Sequence, residues 1–117
     1  MSCIFCELRE DILFENDLAI AFFDNHPVSK GHTLVIPKRH VETYFDLNEK
    51  EIEAMFQLSI KVKEHLDREY HPDGYNVGFN VLEAGGQSVM HAHMHIIPRY
   101  KGDVPHPRGG IRKVAKI

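Results

Sequence analysis

Residues 86–97 read Gly-Gln-Ser-Val-Met-His-Ala-His-Met-His-Ile-Ile, and within them three histidines alternate with apolar residues. Successive side chains of a β-strand point to opposite faces of its sheet. A strand over this stretch therefore predicts that His91, His93 and His95 share one face, about 7 Å apart at the Cα level. The alternating apolar residues would then face the core. The pattern indicates that the imidazoles serve chemistry rather than packing.

Two kinds of chemistry fit such a row of imidazoles. One is divalent-metal binding, to which a catalytic site usually adds a carboxylate; Glu83 and Asp103 are the nearby candidates. The other is phosphate chemistry, because Gly85–Gly86 allows backbone N–H groups to approach an anion, while Gln87 and Ser88 add side-chain donors. A neutral imidazole beside that loop can attack phosphorus, and a neighbouring one can stabilise the phosphate charge. The spacing alone leaves both possibilities open.

Length and composition indicate one globular domain over residues 1–117. The chain is 43% hydrophobic and 26% charged, which excludes a disordered protein, and its net charge of −3 gives no general nucleic-acid footprint. No apolar run approaches the roughly 20 residues that span a membrane, and the first residues do not form a signal peptide. We therefore expect a cytoplasmic protein with no membrane and no nucleic-acid partner.

The remaining pattern predicts an α+β fold with an antiparallel sheet of about five strands, one long helix and a short one. Strands are predicted over residues 12–14, 18–23, 32–36, 75–82 and 91–97. Pro37 and Pro98 are expected to end two of them. The helical period covers residues 49–70 and follows a capping pair, Asn48 and Glu51. We expect the Met and Phe stripe of this helix to pack in the core.

The chain has two cysteines, Cys3 and Cys6, in a Cys-x-x-Cys spacing. In a reducing cytoplasm this spacing is typical of half a metal site or of a redox pair rather than of a structural disulfide. A redox pair normally begins a helix that follows a buried strand. No strand is predicted before Cys3, so the metal interpretation is favoured.

The histidine stretch resembles the His-φ-His-φ-His-φ-φ motif of the histidine triad (HIT) superfamily, in which φ is apolar. Residues 24–40, from Asp24 to His40, are similar to the family's pair of nucleoside-binding strands. Residues 97–103 look more like the diadenosine-polyphosphate-hydrolase and general bacterial branch than like the phosphoramidase branch. The resemblance covers nearly the whole chain. It implies the HIT fold and a homodimer formed by joining two sheets and packing the long helices.

The resemblance also implies a role for each site residue. His93 matches the nucleophile that attacks the α-phosphorus and forms a nucleotidyl-histidine intermediate, which water then hydrolyses. His95 matches the residue that contacts the phosphate and the leaving group, and Asp24 matches the one that bonds the ribose hydroxyls. Gln87 and Ser88 complete the catalytic set as phosphate and leaving-group contacts. The other implied substrate-binding residues are Asn80 and His32, and the implied apolar surroundings of the base are Phe5, Leu18, Phe22 and Ile36.

A structural zinc ion is implied in the same way. Some family members hold zinc with a Cys-x-x-Cys pair, a histidine after the second strand of the nucleoside-binding pair, and the first histidine of the triad. The matching residues here are Cys3, Cys6, His40 and His91. Two thiolates and two imidazoles form a closed tetrahedral set, which is typical of a structural site. Magnesium would enter only with a polyphosphate substrate.

The resulting hypothesis is a hydrolase of a nucleoside 5′-phosphate anhydride or ester, similar to a diadenosine polyphosphate, acting through a nucleotidyl-histidine. One alternative is a purine nucleoside phosphoramidase. Another is a nucleotide-binding regulatory or interaction module with incidental activity. A metal-dependent hydrolase that uses the triad as its catalytic metal site is the fourth possibility.

Overall fold

The structure is a computed structural model that describes residues 3–7 and 9–114, without the side chains of residues 113 and 114. Its described part contains one five-stranded sheet in the order β1-β2-β3-β5-β4, with antiparallel neighbours throughout. The strands are β1 (Ile12–Glu15), β2 (Ala19–Phe23), β3 (Thr33–Pro37), β4 (Gly74–Phe79) and β5 (Met94–Arg99). The predicted α+β class and antiparallel sheet are confirmed.

One long helix, α1 (Glu49–Tyr70), lies between β3 and β4 in the chain. Its start is fixed as predicted: Glu51 donates its N–H to Asn48 Oδ1 at 2.9 Å, and Asn48 donates its N–H to Glu51 Oε1 at 3.0 Å. Its end is marked by His71, whose φ of 50° is left-handed. The short helical pieces are 3-10 turns at Tyr44–Asp46, Glu83–Gly85 and Gly110–Val114. No helix in the described residues is long and apolar enough to cross a membrane.

Different parts of the chain pack against the two faces of the sheet. On one face α1 buries an apolar stripe against the strands, with core residues Ala19, Ala21, Val35, Met55, Leu58, Val62, Leu66 and Ile96. The other face carries a smaller cluster of Ile20, Phe22, Leu34 and Ile36, against which Phe5 packs. The N-terminal segment therefore covers the face of the sheet opposite α1.

The prediction that the whole Met and Phe stripe of α1 is core is wrong in part. Met55 is 1% exposed, whereas Phe56 is 59% exposed and Ile60 is 47% exposed. Positions 52, 56 and 60 recur every four residues and form a second apolar stripe beside the buried one. A helix facing a sheet buries only one side, so the sequence period identified both stripes without separating them.

The predicted strand boundaries need two corrections near the histidines. β5 begins at Met94, so His91 and His93 precede it. The chain there leaves the sheet and pairs with another loop, where Ala92 donates its N–H to the Val41 carbonyl at 2.8 Å. Pro98 lies inside β5 rather than beyond it, and its missing N–H is harmless because the register with β3 extends only to Ile96.

Pro37 was likewise expected to stop its strand and instead forms the last residue of β3. It pairs with Ala19 of β2. On the other side, the register of β3 with β5 ends two residues earlier, at Val35. The sheet therefore loses no hydrogen bond at Pro37, because β5 has no residue opposite it to accept the N–H that proline lacks.

Candidate active site and metal centre

The three triad histidines do not stand in one uniform row. His93 and His95 face a common cavity with ring centroids 4.9 Å apart, whereas His91 turns towards the two cysteines. The split follows from the late start of β5, because only His95 is held in the alternation of a strand. The expectation of three imidazoles on one strand face is therefore corrected: two line a cavity and one belongs to a separate cluster.

Hydrogen bonding fixes the tautomer of His93. Its Nδ1 lies 2.8 Å from the carbonyl oxygen of His91, and a carbonyl can only accept, so Nδ1 carries the hydrogen. Nε2 then has a free lone pair. The side chain is 5% exposed and lines the cavity. The position predicted for a nucleophile thus presents an unprotonated nitrogen in neutral His93.

A second chain of hydrogen bonds orients His95. Val28 donates its backbone N–H to His32 Nδ1 at 3.2 Å, so His32 carries its hydrogen on Nε2. That nitrogen lies 3.0 Å from His95 Nδ1, which accepts, and His95 is left with its hydrogen on Nε2. His95 Nε2 is buried and has no hydrogen-bond partner within the described part of the chain. It is a donor available to an oxygen atom in the site.

Burial keeps this pair neutral. It lowers the pKa of His95 to about 4, with further lowering by His93 and His32 and opposition from Asp24. Burial also lowers the pKa of His32, against the attraction of Asp24, whose Oδ2 lies 3.5 Å from His32 Nε2. Both imidazoles are therefore uncharged at neutral pH, as the assigned tautomers require.

The cavity in front of these residues has a volume of about 1180 Å³. Its polar lining includes His93, His95, His32, Asp24 and Ser88, and its apolar lining consists of Ile4, Phe5, Phe22, Val28, Leu34 and Val89. Of the four apolar residues expected near a base, Phe5 and Phe22 are part of this lining as far as it is described. Ile36 packs in the cluster on the sheet, and Leu18 is 36% exposed.

Asp24 and Asn80 lie on different sides of His95. Asp24 accepts the backbone N–H of His26 at 2.8 Å through Oδ1 and faces the first cavity. Asn80 lines a second cavity of about 620 Å³, which shares His32 and His95 with the first. The predicted ribose contact and the predicted phosphate contact thus line two different cavities, both of which include His95.

Gln87 is a buried predicted site residue whose side-chain amide bonds to the backbone of two loops. Its Oε1 accepts the N–H of Leu82 at 2.7 Å, and its Nε2 donates to the carbonyls of Val89 and Glu42. The side chain is 4% exposed. It therefore braces the loop that carries Ser88, where Leu82 has a φ of 64° and Gly86 a φ of 91°. Direct contact of Gln87 with a phosphate stays a prediction.

The second cluster brings together the four predicted metal ligands. Cys3 Sγ and Cys6 Sγ each lie 3.4 Å from His91 Nδ1, Cys6 Sγ lies 3.2 Å from His40 Nδ1, and the two Nδ1 atoms are 3.2 Å apart. All four ligand atoms lie within 4.8 Å of one another. A tetrahedral ion with bonds of about 2.0–2.3 Å separates its ligand atoms by roughly 3.3–3.8 Å. The cluster therefore fits a metal ion.

The tautomer of His91 also suits a ligand. Its Nε2 donates to the carbonyl of Pro37 at 2.9 Å, which leaves the Nδ1 lone pair directed at the cysteines. Burial lowers the pKa of His91, against the opposing hydrogen bond to Pro37, and the neighbouring His40 adds to the lowering. The set contains no carboxylate and fills four positions, as in closed structural sites.

One feature of the site has no clear signal in the sequence. Arg9 stacks its guanidinium over the Phe22 ring, 3.6 Å from the centroid, and forms two hydrogen bonds with Asp11 at 3.0 and 3.1 Å. It also lines the first cavity. A single arginine in a polar stretch gives no indication of such a contact, which depends on β2 bringing Phe22 to that position.

Comparison with known proteins agrees with this architecture. The family model of the HIT domain matches residues 6–102. The protein Hit of Bacillus subtilis is 43% identical over 108 residues, covering 87% of this chain and 74% of the relative. Adenosine 5′-monophosphoramidase hnt1 of Schizosaccharomyces pombe is 40% identical over 104 residues, covering 85% of this chain and 75% of the relative.

A solved structure adds a likeness in three dimensions. A Zn-bound histidine triad family protein from Mycobacterium smegmatis superposes with a TM-score of 0.78 at 30% identity, covering 87% of this chain and 78% of the other. The HIT family model matches most of the chain, and the structure has the sheet order and the two cavity-facing histidines described above. The chain belongs to the HIT domain family.

Proposed function

We propose that this protein hydrolyses a nucleoside 5′-phosphate derivative through a nucleotidyl intermediate on His93. The observation that carries the proposal is the hydrogen bond from His93 Nδ1 to its neighbour's carbonyl, which leaves the Nε2 lone pair in the cavity. Nε2 attacks the α-phosphorus, forming a P–N bond while the bond to the leaving group breaks. Water then attacks the same phosphorus, the P–N bond breaks, and a nucleoside monophosphate is released.

His95 has a separate part in this proposal. Its Nε2–H is buried without a partner in the described residues, and it donates to a phosphate oxygen as charge develops on it. His32 positions it, because the His32 Nε2–H holds His95 Nδ1 as an acceptor. The phosphate therefore lies beside both His93 and His95, with the base against the apolar lining that includes Phe5 and Phe22 and the ribose hydroxyls near Asp24.

The nature of the leaving group distinguishes two substrates. The diadenosine-polyphosphate hypothesis requires the site to accommodate several negative charges. The described cations that line the two cavities are Arg9 and Arg99, and each is already paired with a carboxylate, Asp11 or Asp103. A polyphosphate would therefore bring its own counter-ion, such as Mg²⁺. A phosphoramidate has a small leaving group with no such requirement, and the similarity to the phosphoramidase of S. pombe supports this second candidate.

The metal that we propose for the four-residue cluster is zinc. Two thiols and two imidazole Nδ1 atoms are ligands that zinc prefers, and the similar M. smegmatis protein is described as Zn-bound. In this chain Cys3, Cys6, His40 and His91 would hold the ion. Its chemistry when bound is structural: it stabilises thiolates and links the N-terminal segment to the loop before β5.

We also propose that the protein is a homodimer. β4 is an edge strand, and Lys63 and Asp67 of α1 contact Tyr75 of β4. Phe56 and Ile60 lie seven and three residues before Lys63 along that side of the helix, so the exposed apolar stripe is turned towards the β4 edge. A second copy that pairs at β4 would cover this stripe. The resulting dimer would resemble the family arrangement, in which two sheets join and the long helices pack together.

The deciding experiment compares hydrolysis of adenosine 5′-phosphoramidate and diadenosine tetraphosphate, with and without Mg²⁺, by following AMP. We expect His93→Ala to lose turnover by at least about a thousandfold while still binding AMP, because it removes only the nucleophile. His71→Asn is the control, since His71 is exposed and asparagine tolerates its left-handed backbone. Substantial turnover by His93→Ala would contradict the assignment.

Two further outcomes separate the alternatives. Activity lost with a chelator and restored by metal in a protein that stays folded would favour a metal-dependent hydrolase. AMP binding without cleavage of either compound would favour a nucleotide-binding module. The faster of the two substrates identifies the leaving-group class.

A further inference from the structure

One aromatic side chain joins the metal cluster to the candidate nucleophile. Phe5 lies between Cys3 and Cys6 in a single turn, closed by the Cys6 N–H donating to the Cys3 carbonyl at 3.0 Å. Its ring meets His93 nearly edge-on, with centroids 5.1 Å apart and planes at 78°. It also contacts His91 at 6.0 Å and Phe22 at 5.6 Å. The same turn therefore supplies two metal ligands and a wall of the cavity.

The attachment of this turn to the fold depends on side chains. Residues 3–7 belong to no helix or strand, so no sheet ladder holds them. The thiols of Cys3 and Cys6 reach His91 and His40, and Phe5 packs on the cluster of Phe22. Without an ion, the cysteine thiols can form only weak hydrogen bonds with the imidazoles of His91 and His40. A bound metal would convert those contacts into coordinate bonds.

His91 provides a second connection between the two sites. Its Nδ1 is directed at the cluster, while its carbonyl accepts the hydrogen of His93 Nδ1 at 2.8 Å. A shift of His91 would therefore disturb the bond that sets the tautomer of the nucleophile. Phe5 contacts the His93 ring nearly edge-on. His93 thus contacts one residue of the cluster, His91, and one residue of the turn that carries two other members of it, Phe5.

We propose that Phe5 is a positioning residue for His93 and that metal occupancy of the Cys3, Cys6, His40 and His91 cluster holds it there. Metal binding thereby closes the cavity around a nucleoside and fixes the nucleophile, and its loss opens the cavity while leaving the sheet folded. The nucleotide part of this inference rests on the proposed function. The coupling between cluster and nucleophile can be tested without any nucleotide.

The first test uses histidine-ring NMR of the zinc-loaded protein together with its metal content. Phe5→Ala should keep one metal ion per chain and shift the His93 ring resonances, because an edge-on aromatic ring is removed. Cys6→Ser should lose the metal and shift the same His93 resonances in the same direction. The double variant should shift these resonances no further than the larger of the two single variants does. Phe45→Ala is the matched control, since Phe45 is 78% exposed and its ring packs against Tyr44.

The second test is a double-mutant cycle on AMP affinity, measured by calorimetry on the same proteins. Loss of the aromatic wall should weaken AMP binding about tenfold in Phe5→Ala. Cys6→Ser should weaken it by a similar factor. The double variant should be no weaker than the weaker single variant, because both changes remove one interaction.

Several outcomes would overturn the coupling. Unchanged His93 resonances after metal loss would show that the metal anchors only the N-terminal segment, and multiplicative losses of affinity would show that Phe5 and the metal act separately. If Cys6→Ser does not fold, His40→Ala replaces it, because His40 is exposed and lies outside the cavity. If the wild-type protein does not bind AMP, the proposed function fails, and the NMR arm still decides the coupling.

Discussion

At the scale of single residues, the site is determined by which nitrogen of each histidine carries hydrogen. The His91 carbonyl decides this for His93, and the backbone N–H of Val28 decides it for His32 and, through His32, for His95. One imidazole then presents a lone pair and its neighbour a hydrogen. This difference, rather than the number of histidines, makes nucleophilic attack and phosphate binding possible in one cavity.

The lowered pKa of His95 predicts a dependence of stability on pH. In the unfolded chain a histidine takes up a proton near its ordinary pKa of 6.5, whereas folded His95 does so only near about 4. The unfolded state therefore binds more protons in this window, so the free energy of unfolding falls as pH decreases from about 6.5 to about 4. Urea unfolding at several pH values measures this slope.

His95→Gln should flatten the slope without abolishing it, because burial also lowers the pKa of His32. The groups facing His95 are His32, His93 and Asp24, and the attraction of Asp24 opposes the effect. His71→Asn, at an exposed position, should leave the slope of the wild-type protein unchanged. An identical slope in His95→Gln and the wild-type protein would contradict the buried, neutral state of His95.

At the scale of elements, the loop between β4 and β5 depends on one amide. Gln87 satisfies the N–H of Leu82 and the carbonyls of Val89 and Glu42, and the last of these lies in the loop after β3. Gln87 thus ties two loops together on the side where the histidines approach β5. Ser88 follows it directly, so the position of Ser88 depends on this brace.

Gln87→Ala should lower the free energy of unfolding by about 1–3 kcal/mol, because it removes the three hydrogen bonds that the buried amide makes to the backbone. It should also weaken AMP binding by displacing Ser88. The matched control is Gln57→Ala on the exposed side of α1, which should change stability by less than about 0.5 kcal/mol. Urea unfolding measures the free energy of unfolding of both variants. Equal values for Gln87→Ala and Gln57→Ala would show that Gln87 does not brace the loop.

The elements also show what the sequence can and cannot predict. The span of α1 and its capping pair are local properties, and both are confirmed. The start of β5 is not local: His91 and His93 alternate as a strand would, but Ala92 pairs with Val41, about fifty positions away. The exposed stripe at Phe56 and Ile60 has the same helical period as the core stripe, and only packing against the sheet separates the two.

At the scale of the whole molecule, the family motifs predict which residues gather, and tertiary pairing decides how. The four proposed zinc ligands do lie together, although they come from the N-terminus, the loop after β3 and the approach to β5. The spacing of residues in the sequence does not predict two contacts: the stacking of Arg9 on Phe22 and the hydrogen bond between His32 and His95. Both depend on which strands become neighbours.

The proposed dimer gives a prediction for the assembled molecule. Phe56→Glu places a charge in the apolar stripe beside β4, so we expect a monomer with an intact fold. Gln57→Glu adds the same charge one residue away and should remain dimeric. Sedimentation velocity measures the mass of each, and circular dichroism checks the fold. A wild-type protein that sediments as a monomer, or a dimeric Phe56→Glu variant, would contradict this interface.

The central claim is that His93 becomes covalently bonded to a nucleotide. Intact-protein mass spectrometry tests it most directly, on enzyme mixed with adenosine 5′-phosphoramidate and quenched in alkaline denaturant during the first turnover. We predict a transient mass increase of one adenylyl group that maps to the peptide containing His93 and is absent from His93→Ala. Cleavage that proceeds with no adduct at any quench time, or an adduct on another residue, would contradict the claim.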